Sequence, residues 1–169
     1  MSANNWSGNI QRARGILLVL LWVAYLTLTT GIPSAYGSID DDYYDGNIFV
    51  LYAGNGSLVP PKLNLEQAQK LGKPALLVFY VDDSKDCKQY ARSLNLIQAR
   101  YTPALSIIPI NADSLTPEQP ESQYFHGLVP QTVLIDRQGR VVYDAVGYSI
   151  AETVNQQVYN LLSREAGGQ

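Results

Sequence analysis

Cysteine is all but missing from this sequence: Cys87 stands alone among 169 residues. An intrachain disulfide, a four-cysteine zinc site and a two-thiol redox cycle within the chain are excluded with it. Histidine is equally scarce, with His126 as its one example, so a metal site has almost no soft ligands to draw on and none is expected. Charge of one sign is lacking too, since 12 basic and 15 acidic side chains leave a net charge of −3. No basic stripe is available to neutralise a phosphate backbone, which removes nucleic acid from the expected partners. No motif implies a cofactor. What remains is an ordinary globular composition, 46% hydrophobic and 16% charged, enough for one compact domain with a core of its own.

A long apolar run is present once. From Ile16 to Ile32 the chain carries no charge, and Arg12 and Arg14 stand just before it. As a helix this run would span roughly 26 Å, close to the hydrocarbon thickness of a bilayer. The expected organisation is therefore a short cytoplasmic N-terminus at 1–14, a transmembrane anchor at 15–35, an acidic linker at 36–47 and a folded domain at 48–165. A cleaved signal peptide ending near Ala35 is the rival reading of the run, and a buried globular helix the third. The two arginines favour a cytoplasmic N-terminus, which puts the domain across the membrane on the lumenal or periplasmic side. Asp40, Asp41, Asp42 and Asp45 make the linker a solvated one.

Within the body, the β-branched and aromatic stretch Ile48 to Tyr52, the Gly54-Asn55-Gly56 turn and the Pro60-Pro61 stop suggest a small hairpin or edge strand. Asn64 is placed to cap a short helix with Leu65, Ala68 and Leu71 at helical spacing and Gly72 at its end. Ala75 to Val81 is a continuous apolar run of strand length, as expected for a central strand buried on both faces. From Lys85 to Tyr101, Cys87, Tyr90, Ala91, Leu94, Ile97 and Tyr101 recur at intervals of three and four, and Pro103 stops the run. Leu105 to Ile110 reads as another strand, broken near its end by Pro109. Thr116 to His126 is a polar connection with room for one short helix. Thr132 to Ile135 and Val141 to Tyr143, joined by Arg137-Gln138-Gly139, predict an antiparallel hairpin. Gly147 then leads into a last helix, with Ser149 and Glu152 as its capping box. The fold class is α/β, with a central mixed sheet flanked by helices.

The run from Lys73 to Tyr80, followed by Ser84-Lys85-Asp86-Cys87-Lys88, resembles the thioredoxin strand and redox loop. In that likeness Ser84 stands where the attacking cysteine would be, and Cys87 keeps the second position. Gly127-Leu128-Val129-Pro130-Gln131-Thr132, with the hairpin after it, is similar to the cis-proline loop of the same family, and implies that Pro130 is the cis-proline packed beside the redox loop. The likeness extends from Leu65 to Leu162 and implies a thioredoxin-like fold.

The chemistry departs from that family. Dithiol exchange needs a low-pKa attacking thiolate and a resolving thiol to release the mixed disulfide, and Ser84 cannot form the sulfur bond. Asp82, Asp83 and Asp86 near Cys87 are expected to raise its pKa, with Lys85 and Lys88 opposing them in part. Cys87 also shares the apolar stripe with Tyr90 and Leu94, so a small buried hydrophobe is the favoured reading and a mixed disulfide with a partner the alternative. Ser84, or Asp83, is suited to cap the helix from Lys85. His126 has no serine or cysteine beside it and is expected to be partly exposed and inert. The candidate site is thus the degenerate loop Ser84, Lys85, Asp86 and Cys87, with no catalytic residue. Ser84, Cys87, Val129 and Pro130 are the candidates for a groove that holds a client.

Beyond the fold, the stretch from Tyr44 to Pro61 and the run from Phe79 to Lys88 resemble the photosystem I accumulation factors of cyanobacterial thylakoid membranes. That resemblance implies a single-pass thylakoid protein with a lumenal domain, supporting assembly or accumulation of photosystem I, its partners being photosystem I subunits or assembly factors and the membrane itself. The opposing expectation is an enzyme, a monothiol oxidoreductase acting through Cys87. A third is an exported binding protein of other purpose, released after Ala35.

Overall fold

The structure, a computed structural model, describes residues 46–147 and 151–167. The apolar run at 16–32, the acidic residues of the linker and Ser149 of the expected capping box lie outside the described residues. Among the described residues, no helix is long and apolar enough to cross a membrane.

Strand β1, Ala75–Tyr80, is buried along its whole length. It lies inside a four-stranded sheet of order β2-β1-β3-β4, where β2 is Ser106–Asn111, β3 is Gln131–Ile135 and β4 is Val141–Val146. β2 runs parallel to β1, whereas β3 is antiparallel to β1 and β4 to β3, so the sheet is mixed. Because side chains alternate across a strand, β1 feeds two cores. Leu76, Val78 and Tyr80 join one apolar cluster, and Ala75, Leu77 and Phe79 join the other.

Helix α1, Ile48–Leu51, precedes the sheet, and α2 is Leu65–Lys70. Helix α3, Lys85–Tyr101, crosses from β1 to β2, and α4, Ala151–Gly167, ends the described chain. Cys87, Tyr90, Ala91, Leu94 and Ile97 of α3 share the first cluster with Val154, Val158 and Leu161 of α4. Leu65 and Ala68 of α2 seal the opposite face against Ile108, Val133 and Ile135. Pro109, which lacks an N–H for a ladder, is accommodated because β2 is a margin of the sheet.

Three expectations need correction. Ile48 to Tyr52 is not a hairpin or edge strand: the Asn47 side chain accepts the Phe49 N–H at 2.9 Å and starts helix α1. Ile48, Phe49 and Tyr52 are buried while Val50 and Leu51 are half exposed, a helical spacing that the β-branched composition conceals. The Phe49 ring meets Tyr80 edge-on at 5.1 Å, so tertiary packing decides the local conformation. Leu71 is not on the buried face of α2 but 61% exposed, because the helix ends at Lys70 and Gly72 turns the chain away at φ 61°. Finally, β4 runs on to Val146, beyond the Tyr143 expected from sequence.

The segment after α1 is fastened to the outer side of α3 by amides. Asn55 Nδ2 donates to Asn95 Oδ1 at 2.7 Å and also to Gln98 Oε1. Asn95 Nδ2 donates to the Ala53 carbonyl at 3.0 Å, and Arg92 Nε to that of Tyr52 at 3.1 Å. Turn groups that would otherwise need water are satisfied by one helix.

Candidate functional site

β1 delivers the chain to Val81-Asp82-Asp83, and Ser84 then caps α3. With φ −79° and ψ 124°, Ser84 turns its Oγ onto the Cys87 N–H at 3.3 Å, taking up one of the free donors of the first helical turn. Of the two capping residues considered from sequence, Ser84 is the one used. Lys85 and Asp86 face outward on the same turn. Cys87 faces inward and is 2% exposed, so the two ends of the Ser-x-x-Cys loop have different environments.

Burial is the largest influence on the Cys87 thiol and pushes its pKa up; Asp86 and Asp83 push the same way, while hydrogen bonds from the Ser84 side chain and the Val81 backbone offset only part of the rise. Desolvation therefore outranks the acidic neighbours to which the sequence pointed. Asp82 looks elsewhere, its Oδ2 accepting from Asn111 Nδ2 at 2.8 Å where β2 ends. Lys88, expected to oppose the aspartates in part, is fully buried, with Nζ 5.6 Å from the centre of the Tyr52 ring. At pH 8, iodoacetamide should alkylate Cys87 at least about a hundredfold more slowly in the native protein than in urea. Equal rates by mass spectrometry would contradict this burial.

On the facing side, the Val129–Pro130 bond is cis. Pro130 is buried, and its carbonyl accepts the Gly147 N–H at 2.7 Å. Val129 packs against the cluster that contains Cys87 as well as the one across the sheet. Two residues after Pro130, Thr132 Oγ1 meets Tyr90 Oη at 2.7 Å, joining β3 to the helix that Ser84 caps. Leu128, 63% exposed, stands at the tip of the loop.

A polar cluster beside this loop was not read from sequence. His126 Nε2 lies 2.7 Å from Asp144 Oδ2, and the fully buried Gln131 donates to Asp144 Oδ1 at 3.1 Å. Gln131 also accepts the His126 N–H at 2.9 Å and donates to the Tyr124 carbonyl at 2.7 Å. His126 is half exposed, as expected, but it is a held residue, and Gln131 is the hub that shapes the chain leading to Pro130. Only the pairing of β3 with β4 brings these groups together, and no spacing in the sequence announces it. Among the described residues, no group of three His, Cys, Asp or Glu side chains is placed to hold a metal.

A central strand leading into a capped helix, with a cis-proline loop entering the adjacent strand, defines a thioredoxin-like protein whose loop reads Ser-Lys-Asp-Cys. A family model described as a thioredoxin-like domain matches residues 61–161, and the chain belongs to that family. It is 41% identical over 164 residues to thylakoid membrane protein slr1796 of Synechocystis sp., covering 92% of this chain and 81% of that one. It is 27% identical over 90 residues to the chloroplastic thioredoxin-like protein HCF164 of Arabidopsis thaliana, covering 53% of this chain and 34% of that one. Among solved structures, the germline-specific thioredoxin Deadhead of Drosophila melanogaster aligns with a TM-score of 0.49 at 17% identity, over 57% of this chain and 90% of its own.

Proposed function

We propose that this chain is a non-catalytic, single-pass thylakoid membrane factor that supports the assembly or accumulation of photosystem I by binding client proteins. The observation that carries the reading is the state of the degenerate loop. Ser84 is used as a helix cap and Cys87 is a buried thiol with a raised pKa, which leaves neither an attacking nor an accessible resolving sulfur. An extended client segment would dock along the loops at Ser84 and Val129, with the buried Cys87 and Pro130 shaping the groove from beneath, through backbone hydrogen bonds. The thylakoid setting is supported by the name of the Synechocystis relative, and the anchor at 15–35 by its length and flanking arginines. In this reading residues 1–14 are cytoplasmic, 36–47 link, and 48–165 form a lumenal domain. Anchoring concentrates such a binder at the membrane where its clients insert.

The test replaces Cys87 with serine in the native host and compares photosystem I content with wild type and with a deletion strain. A normal level is expected. A fall to the deletion level while the variant protein still accumulates would make Cys87 a reacting group and overturn the proposal. In the same strains Leu128→Asp, an exposed change on the cis-proline loop, should lower photosystem I content with the protein still present, and an unaltered level would count against this groove.

A further inference from the structure

At the end of the sheet opposite Ser84, where β1 and β2 begin, lies a cavity of about 170 Å³. Its position follows from the register: Ala75 pairs with Ser106 in a parallel ladder, and the Ser106 N–H donates to the Pro74 carbonyl at 3.0 Å. Lys73 at the head of β1 and Lys62 before α2 line it, and its lining contains no aspartate or glutamate. Neither lysine has an ion-pair partner among the described residues. In an acidic chain, two lysines lining one cavity without a carboxylate is a charge arrangement that favours an anion.

Two further features give the cavity chemical character. Ser106 is only 9% exposed and brings a hydroxyl to the lining. Thr102 adds a second hydroxyl at the rim, while Leu58 and Leu105, 2% and 4% exposed, supply an apolar side. A cavity of about 150 Å³ holds a benzene-sized molecule, so this one admits about six heavy atoms. We infer that it is a binding site for a small organic anion, a carboxylate with a short apolar tail, whose oxyanion is held by Lys62, Lys73 and the Ser106 hydroxyl and whose tail lies against Leu58 and Leu105. The site is separate from the client groove and its occupation does not depend on the reading of that groove.

The probe is butyrate, titrated into the ¹⁵N-labelled full chain in detergent micelles, with butyramide as its neutral counterpart and inorganic phosphate as an anion without a tail. Saturable shifts are expected at the amides of Leu105, Ser106 and Ile107 with butyrate, weaker ones with phosphate and none with butyramide. Lys62→Gln combined with Lys73→Gln should weaken butyrate at least about tenfold, and Ser106→Ala should weaken it less while keeping both charges. Butyrate and butyramide acting alike, phosphate binding as well as butyrate, unsaturable shifts, or a double variant that binds as wild type would each overturn the site. Should the double variant lose its α3 amide dispersion in the absence of any anion, the folded Ser106→Ala variant decides: weaker butyrate binding there is expected, and unchanged binding would overturn the site.

Discussion

Replacing Ser84 with cysteine is expected to turn a chain without a dithiol motif into one that cycles between a dithiol and a disulfide. Ser84 and Cys87 sit at the cap and third position of α3, with the Ser84 side chain already turned toward Cys87. Residues three apart at a helix start are close enough for a disulfide after small adjustment. A thiol at position 84 would be half exposed and would stand at the positive end of a helix dipole, the setting that lowers a thiol pKa. Cys87, poor as an attacking group because it is buried, is suited to the resolving role. The loss of the cap costs about 1 kcal/mol. The full-length variant, oxidised, should lose two hydrogens by mass, and it should reduce insulin with dithiothreitol as electron donor where wild type does no better than dithiothreitol alone. A variant that is folded and never forms the disulfide would refute the loop geometry described here.

The second large effect is structural. Asp136 closes the β3–β4 turn and is 2% exposed. Its Oδ1 accepts the Gln138 and Arg140 N–H groups at 2.9 and 2.8 Å, and its Oδ2 accepts Arg140 Nε at 2.8 Å. Asp136→Ala strands both backbone donors and should cost about 2–4 kcal/mol, lowering the melting temperature by about 10 °C. Arg140→Ala should cost less, since its side chain is 74% exposed. Burial alone would raise the Asp136 pKa, but the hydrogen bonds from Arg140 and Gln138 and the Arg140 charge together outweigh it and hold the carboxyl below its ordinary value. A depressed folded pKa means stabilisation that is complete above the unfolded value of about 3.9 and is lost as pH falls through it toward the folded one. The urea midpoint gap between wild type and Asp136→Asn should therefore shrink below about pH 4. A gap that widened with acid would reverse the sign assigned to this carboxylate.

The parts of the fold legible in sequence are those in which local chemistry and packing agree. Helix α3 begins and ends where Ser84, the Tyr90-Leu94-Ile97 stripe and Pro103 place it, and β1 is the uninterrupted apolar run expected of a strand covered on both faces. Ile48 to Leu51 defeated the same reasoning, because one helical turn is too short for its period to be told from a strand's. There the aromatic contact between Phe49 and Tyr80 and the cap from Asn47 decide. At the site, Ser84 was readable as a cap and Pro130 as the proline of the loop. Lys88 was not readable as buried, nor Gln131 as a hub, since both depend on neighbours supplied by distant segments, Tyr52 for one and Asp144 for the other.

Pro109 has a meaning beyond its tolerance in β2. A strand at the margin of a sheet is an open template on which another copy of the same chain can continue the ladder. Pro109 removes a donor from that template on one side, and at the other margin β4 carries a register shift opposite Leu134 and Ile135 and the charge of Asp144. Neither border offers a long, regular, uncharged rim. A second copy therefore finds no regular strand edge at either margin along which to extend the sheet.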